Sequence, residues 1–290
     1  MTSESQRFKR LVLGLQPRAP DHTMRLAVKL AELLNLELLG VFLEDTSLQR
    51  LAGIPFAREF RPLGGGWHPI DAGQLSRDLE HAAQSAEKMF AEAAKRLPTQ
   101  WRFEVARGPM AATMATVSRT TDIVMIGEPV GAAERVTQQF SWLIQAAFQS
   151  AAAVMIVPSR VARVQGPIVA IATTPDEPSI RVAANIAVAA NEELVVIDVC
   201  ERAIDEAQIR ALAPATELAI KRIRGGWKTG ADTASLAQAL GPLHERLVVM
   251  TRGASDGQAA SIIAADRRVP VLVIEPREST AAKAAAAVRE

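Results

Sequence analysis

The chain has no tyrosine, a single cysteine and 4% aromatic residues in a length of 290. The lone thiol, Cys200, excludes a disulfide within the chain and offers no paired-cysteine spacing for a metal. It closes the apolar run ELVVIDVC (193–200), where it reads as a packed small hydrophobe, with a reactive thiol as the alternative. An excess of charge of one sign is also lacking. The formal net charge is +1, which gives the chain as a whole no pull towards nucleic acid or an anionic membrane. No apolar run approaches the length that crosses a bilayer, and MTSESQRFKR lacks the apolar stretch of a secretory signal. The expectation is a cytoplasmic protein without a membrane span. His22, His68, His81 and His244 stand too far apart for metal-ligand spacing. No G-x4-G-K-[ST] loop occurs. No acid–base pair stands out, so no catalytic constellation is expected and an enzyme is the least supported reading.

What is present is 49% hydrophobic and 22% charged residues, a balance that fills cores. With so few aromatics those cores must be aliphatic and alanine-rich, which suits helices packed closely on a sheet. The length accommodates two domains, and the order of segments shows a duplication. LVLGLQ (11–16) reads as a strand, HTMRLAVKLAELLN (22–35) as a helix by its apolar spacing, and LELLGVFLED (36–45) as a second strand. PIVAIATTPDEPSIRVAANIAVAANEELVVIDVCE (167–201) repeats that order, including an Asn-containing break after each helix. WRFEVARG, PMAATMATVSRT, TDIVMIG and AAVMIVP then find counterparts in ELAIKRIRGG, DTASLAQALG, ERLVVMT and VPVLVIEP. Strands alternating with helices in both copies predict parallel sheets covered on both faces.

The expected division is a first domain over 1–160, a linker near SRVARVQG (159–166), a second domain over 167–277 and a tail over 278–290. The copies differ in one place. Residues 46–73 of the first copy, TSLQRLAGIPFAREFRPLGGGWHPIDAG, form an insertion too long for an ordinary connection. An amphipathic helix over 74–98 follows it, whereas RAIDEAQIRALAPAT (202–216) stands there in the second copy. Leu48, Leu51, Ile54, Phe56, Phe60 and Trp67 make the insertion too apolar for a freely solvated loop. It is expected to cover the strand ends of the first copy or to pack on a partner. Arg58 and Arg61 are loop cations with solvation as their default state, and contact with a phosphate or a partner's carboxylate as the alternative. Gly64–Gly66 reads as a hinge, with an anion nest as the alternative. Asp21, Glu44 and Asp45 lie near the predicted strand-end mouth, where α/β sheets bind ligands, and are candidates for metal or ribose contacts.

In the order of its segments, the VARGPMAATMA junction, the DIVMIG strand and the endings VMIVP and VLVIEP, the chain resembles the universal stress protein family in its tandem form. The resemblance spans about residues 8–276 apart from the insertion. It implies two doubly wound α/β domains, each a five-stranded, mostly parallel sheet flanked by helices, of the Rossmann-like, adenine nucleotide alpha hydrolase-like kind, with strand order 3-2-1-4-5. It also implies that the last strands, Val154–Val157 and Val271–Ile274, meet.

Nucleotide-holding members carry G-x2-G-x9-G-[ST] after the fourth strand, where backbone amides and a hydroxyl cradle phosphate. Counted from Gly127, the second glycine falls on Val130 with Gly131 one residue late, the third falls on Phe140, and the hydroxyl is kept as Ser141. The family's first-strand aspartate is Gln16 here, and Val41 falls where the second strand offers backbone groups to adenine. The resemblance therefore implies cofactor-binding positions Gln16, Val41, Gly127, Gly131 and Ser141 for ATP or another adenine nucleotide, held weakly. In the second copy Thr251 and Ala172 replace the glycine and the acid, and the loop is shorter, so that site is expected to be lost. Two functions follow as expectations. One is a regulatory, stress-response protein that senses a nucleotide or other small anionic metabolite. The other is a ligand-free scaffold acting through protein contacts, as a homodimer or with another protein.

Overall fold

The computed structural model describes residues 8–15, 21–61, 66–128, 138–150, 152–173, 178–199, 204–213, 218–222, 240–241, 243–252 and 256–275. The chain divides into two compact units between Ala152 and Ala153.

The first unit contains β1 (Arg10–Leu15), α1 (Asp21–Leu33), β2 (Glu37–Asp45), α2 (Thr46–Ala52), β3 (Arg58–Arg61), β4 (Gly66–Pro69), α3 (Ala72–Ala94), β5 (Trp101–Gly108), α4 (Met110–Val117), β6 (Asp122–Gly127) and α5 (Gln138–Gln149). Its strands lie in the order β6-β1-β2-β5 and are parallel throughout. β1 and β6 are continuous apolar runs because helices cover both faces, and Leu11–Leu13 and Ile123–Ile126 are wholly buried. α3 packs so closely on β2 that a Cβ at Gly40 would meet the Phe90 ring at 2.8 Å. That helix begins at Ala72 rather than 74, because Asp71 caps it by accepting from the Gly73 and Gln74 amides at 2.8 and 3.0 Å. Leu79, Ala83, Ala86, Phe90 and Ala94 form its buried stripe.

The second unit contains β7 (Ala153–Val157), β8 (Ile168–Ala172), α6 (Pro178–Ala190), β9 (Leu194–Asp198), α7 (Glu206–Leu212), β10 (Leu218–Arg222), β11 (Leu247–Thr251), α8 (Asp256–Arg267) and β12 (Val271–Ile274). Its order is β10-β9-β8-β11-β12-β7. In terms of the second copy's own five strands this is 3-2-1-4-5, all parallel, as the resemblance implied. β7, the last strand of the first copy, joins them antiparallel to β12, with Leu272 opposite Met155. The two apolar final strands thus meet directly, and the second copy's five strands are extended by a sixth. DTASLAQALG (232–241), the counterpart of the α4 segment, lies outside the described residues apart from Leu240 and Gly241.

The two units share a backbone feature as well. Asn35 and Asn191 end α1 and α6 in the left-handed region, at φ 51° and 52°. Behind them the Leu36 amide donates to Ala31 O at 2.8 Å and the Glu192 amide to Ala187 O at 2.9 Å. Asn tolerates that conformation better than other residues with a Cβ, which explains the Asn in each break.

The insertion is structured: α2 is followed by a hairpin of β3 and β4, with Phe60 opposite Trp67 and their rings edge-on at 5.5 Å. Among the described side chains, the large apolar residues of the insertion do not join a core. Phe56 is 90% exposed, and Leu51, Ile54, Phe60 and Trp67 are exposed too. No helix among the described residues is long and apolar enough to cross a membrane.

Candidate functional site: the strand-end mouth of the first unit

In the first unit β1 lies between β2 and β6. α1 follows β1 on the way to β2, so β6, entering on the other side, makes this the point where the strand order reverses. The crevice beyond such a point is where open α/β sheets place ligands. Here it is bordered by the carboxyl ends of β1 and β6, at Leu15 and Gly127.

Gly127 stands at the end of β6 as the sequence implied. A Cβ on it would lie 2.6 Å from Thr23 Oγ1 and 2.9 Å from Thr23 Cγ2, closer than real contacts allow. Thr23, in the first turn of α1, is buried. The glycine is therefore required by the seating of α1 on β6, independently of any phosphate. Glu128, the next residue, is buried as well. The Glu128 carboxylate lies next to Gly127, and its own interaction with a phosphate there is repulsive.

Ser141 is exposed and lies in the first turn of α5, where the helix dipole favours an anion. Val41 is wholly buried and sits inside the sheet, level with Gly14 on β1 and Glu104 on β5, four residues before the end of β2. Gln16 and Gly131 lie outside the described residues, as do the side chains of Asp21, Asp45 and Phe140. The structure thus brings Gly127 to the mouth beside Thr23 and Glu128, neither of which sequence reading singled out. The duplication held a signal for Thr23: counted back from Asn35 and Asn191, it takes the same place as Ser179.

Glu44, near the end of β2, is buried and accepts from Arg107 Nε at 2.8 Å. That hydrogen bond, and then the charge of Glu44, raises the Arg107 pKa above its usual value. Glu44 is therefore already engaged by a cation. Among the described residues no group of three or more His, Cys, Asp or Glu side chains is gathered to hold a metal.

The fold matches that of a universal stress protein. The solved structure of a universal stress protein from Archaeoglobus fulgidus DSM 4304 superposes with a TM-score of 0.61 over 94% of this chain and 99% of that one, at 12% identity. At that identity the likeness concerns the fold. No family model matches the chain, and no curated protein matches its sequence.

The mouth of the second unit differs. Ala172 ends β8 and is wholly buried, Thr251 ends β11 where Gly127 ends β6, and Arg252 and Glu275 form an ion pair just beyond. Asp198, buried at the end of β9, accepts from the Ile204 amide at 2.9 Å. Residues 252–255 connect β11 to α8, whereas residues 128–137 connect β6 to α5.

Proposed function

We propose that this chain is a regulatory protein of the universal stress protein kind, a tandem of two such domains, in which the mouth of the first copy binds an adenine nucleotide weakly. The observation that carries this reading is the switch point between β1 and β6, with exposed Ser141 in the first turn of the helix that follows, in a fold matched over nearly its whole length by a universal stress protein. In this reading Gly127, Gly131 and Ser141 receive the phosphates. Gln16 and the part of β2 beyond Val41 receive the base. The carboxylate of Glu128 and the bulk of Val130 and Phe140 at the glycine positions keep the affinity micromolar or weaker, roughly 8 kcal/mol or less. A role in stress response is part of the same proposal.

Calorimetry with ATP, ADP and AMP on the wild type and on Ser141→Glu tests it. Ser141 is exposed, so a negative charge placed there opposes phosphate without disturbing the core. Heats that disappear in Ser141→Glu support the site. Equal heats in both proteins move binding elsewhere, and no heat in the wild type removes the nucleotide. A second reading, a scaffold acting through protein contacts, is favoured by the exposed Phe56, Phe60 and Trp67 of the insertion. Mass analysis of small molecules released by denaturing freshly purified protein separates the two.

A further inference from the structure

β5 is an edge strand: among the described strands, β2 is its one pairing partner. Edges present unpaired N–H and C=O groups, and proteins usually keep them short, bulged or covered. β5 runs for eight residues. Trp101 and Phe103 approach the ring of Phe90 on α3, with centroids 6.0 and 5.9 Å away. With alternation along a strand, Trp101, Phe103 and Val105 form an apolar row on the face towards α3, and that row stops at the edge. Trp101 and Val105 are 38% and 43% exposed, and Met89 of α3 is exposed near the same end of the helix as Phe90. The other face of β5 carries Arg102 and Glu104, both exposed.

We propose that this edge joins two copies of the chain, with β5 pairing antiparallel to β5 of a second copy about a two-fold axis through Phe103. Such an interface uses the same patch on both copies and must be self-complementary. In this register Arg102 lies opposite the second copy's Glu104, Glu104 opposite its Arg102, Trp101 opposite its Val105, and Phe103 opposite itself. Directly opposite residues share a face, so the apolar row under α3 continues into the second copy and the charges pair on the other face. Shifting the register by two residues either way sets Arg102 against Arg102 or Glu104 against Glu104, which is destabilising. The strand's own order of charges therefore selects both the register and the partner. Arg102 Nε lies 3.6 Å from Glu37 Oε1 within the chain, in a pair open to solvent that costs little to exchange.

Sedimentation velocity of the full chain over a range of concentrations tests this. The wild type is expected to dimerise. Arg102→Glu and Glu104→Arg, each alone, set like charges opposite one another twice per interface and weaken the dimer by about tenfold or more, while circular dichroism stays unchanged. The exchange Arg102→Glu with Glu104→Arg restores dimerisation, which recovery from a folding defect alone does not produce. A wild type that stays monomeric at the highest concentration overturns the proposal. So does a dimer indifferent to both single changes, or one weakened instead by Phe60→Ser with Trp67→Ser, which places the contact on the hairpin.

Discussion

The two copies have solved the same packing problem at their strand-end mouths in opposite ways. In the first, a buried threonine on α1, Thr23, faces a residue with no side chain, Gly127. In the second, the same place on the helix holds the smaller Ser179, wholly buried with its hydroxyl donating to Ile171 O at 2.8 Å, and the strand end holds Thr251. The second copy thus has the smaller residue on the helix and the larger one at the strand end. A glycine that looks like the start of a phosphate loop is, in this light, half of a volume exchange between α1 and β6. The lesson is general to Gly-rich turns: spacing proposes a ligand, but the space a Cβ would enter says what the glycine is for. The mouths also differ in length and charge. The first keeps a long connection, residues 128–137, with Glu128 at its start. The second keeps a short one, with an Arg252–Glu275 ion pair at its start.

The largest expected effect comes from the ion pairs that anchor each copy. In the second unit the wholly buried Glu245 accepts from Arg267 Nε at 2.8 Å and from Nη2 at 3.1 Å, and the same Nη2 donates to the carbonyls of Leu240 and Leu243. The hydrogen bond to Glu245 is the chief cause of the raised Arg267 pKa. Arg267→Met leaves a buried carboxylate without its principal cation and is expected to cost about 3–5 kcal/mol by urea unfolding. Arg107→Ala in the first unit also takes the cation from a buried carboxylate, Glu44, but the guanidinium it removes is largely in water, so it is expected to lower the unfolding midpoint less than Arg267→Met does. If the two variants prove equally destabilising, the contrast between a structural pair and a mouth pair is gone.

Next comes the glycine. Gly127→Ala forces its new methyl group into Thr23 and should cost about 1–3 kcal/mol in thermal unfolding. Adding Thr23→Ala removes the two atoms it meets and should recover most of that loss, with the non-additivity expected of touching residues. In the second copy Thr251→Val is expected to be neutral or slightly stabilising, because the Thr251 hydroxyl is buried without a hydrogen-bond partner. A costly Thr251→Val, or a Thr23→Ala that rescues nothing, contradicts the volume exchange.

Smaller effects sharpen the ligand side of the comparison. Glu128→Gln removes a negative charge beside Gly127 and should tighten ATP binding by roughly threefold to tenfold, within the range of one charge at partial screening. Ser141→Ala removes one hydroxyl and should weaken ATP binding by less than about tenfold, since a single hydrogen bond contributes about 1 kcal/mol net. Both are read by calorimetry. A Glu128→Gln that binds ATP more weakly than the wild type contradicts the repulsion assigned to Glu128.

The second copy's strand order was implied by the family resemblance, whereas the pattern of apolar segments, read along the chain, determined the α/β class and the repeated order of segments. Those follow from local physics: continuous apolar runs must be buried on both faces, and Asn35 and Asn191 mark helix ends where an αL residue is needed. Asp71 as the cap of α3 was also available in the sequence, though the amphipathic stripe alone placed the start two residues late. The insertion was legible as apolar and unusual, but not as a helix and a hairpin, because strands of four residues give too little alternation to distinguish from a loop. The family resemblance implied that β7 and β12 meet, and the tertiary structure set their antiparallel register, because no local signal aligns two strands far apart in sequence. Tertiary structure alone set Val41 inside the sheet rather than at its end, and paired buried Glu44 with Arg107. It alone gave Gly127 its reason, because the clash with Thr23 arises between residues far apart in sequence, where spacing within a loop carries no information about what lies across from it.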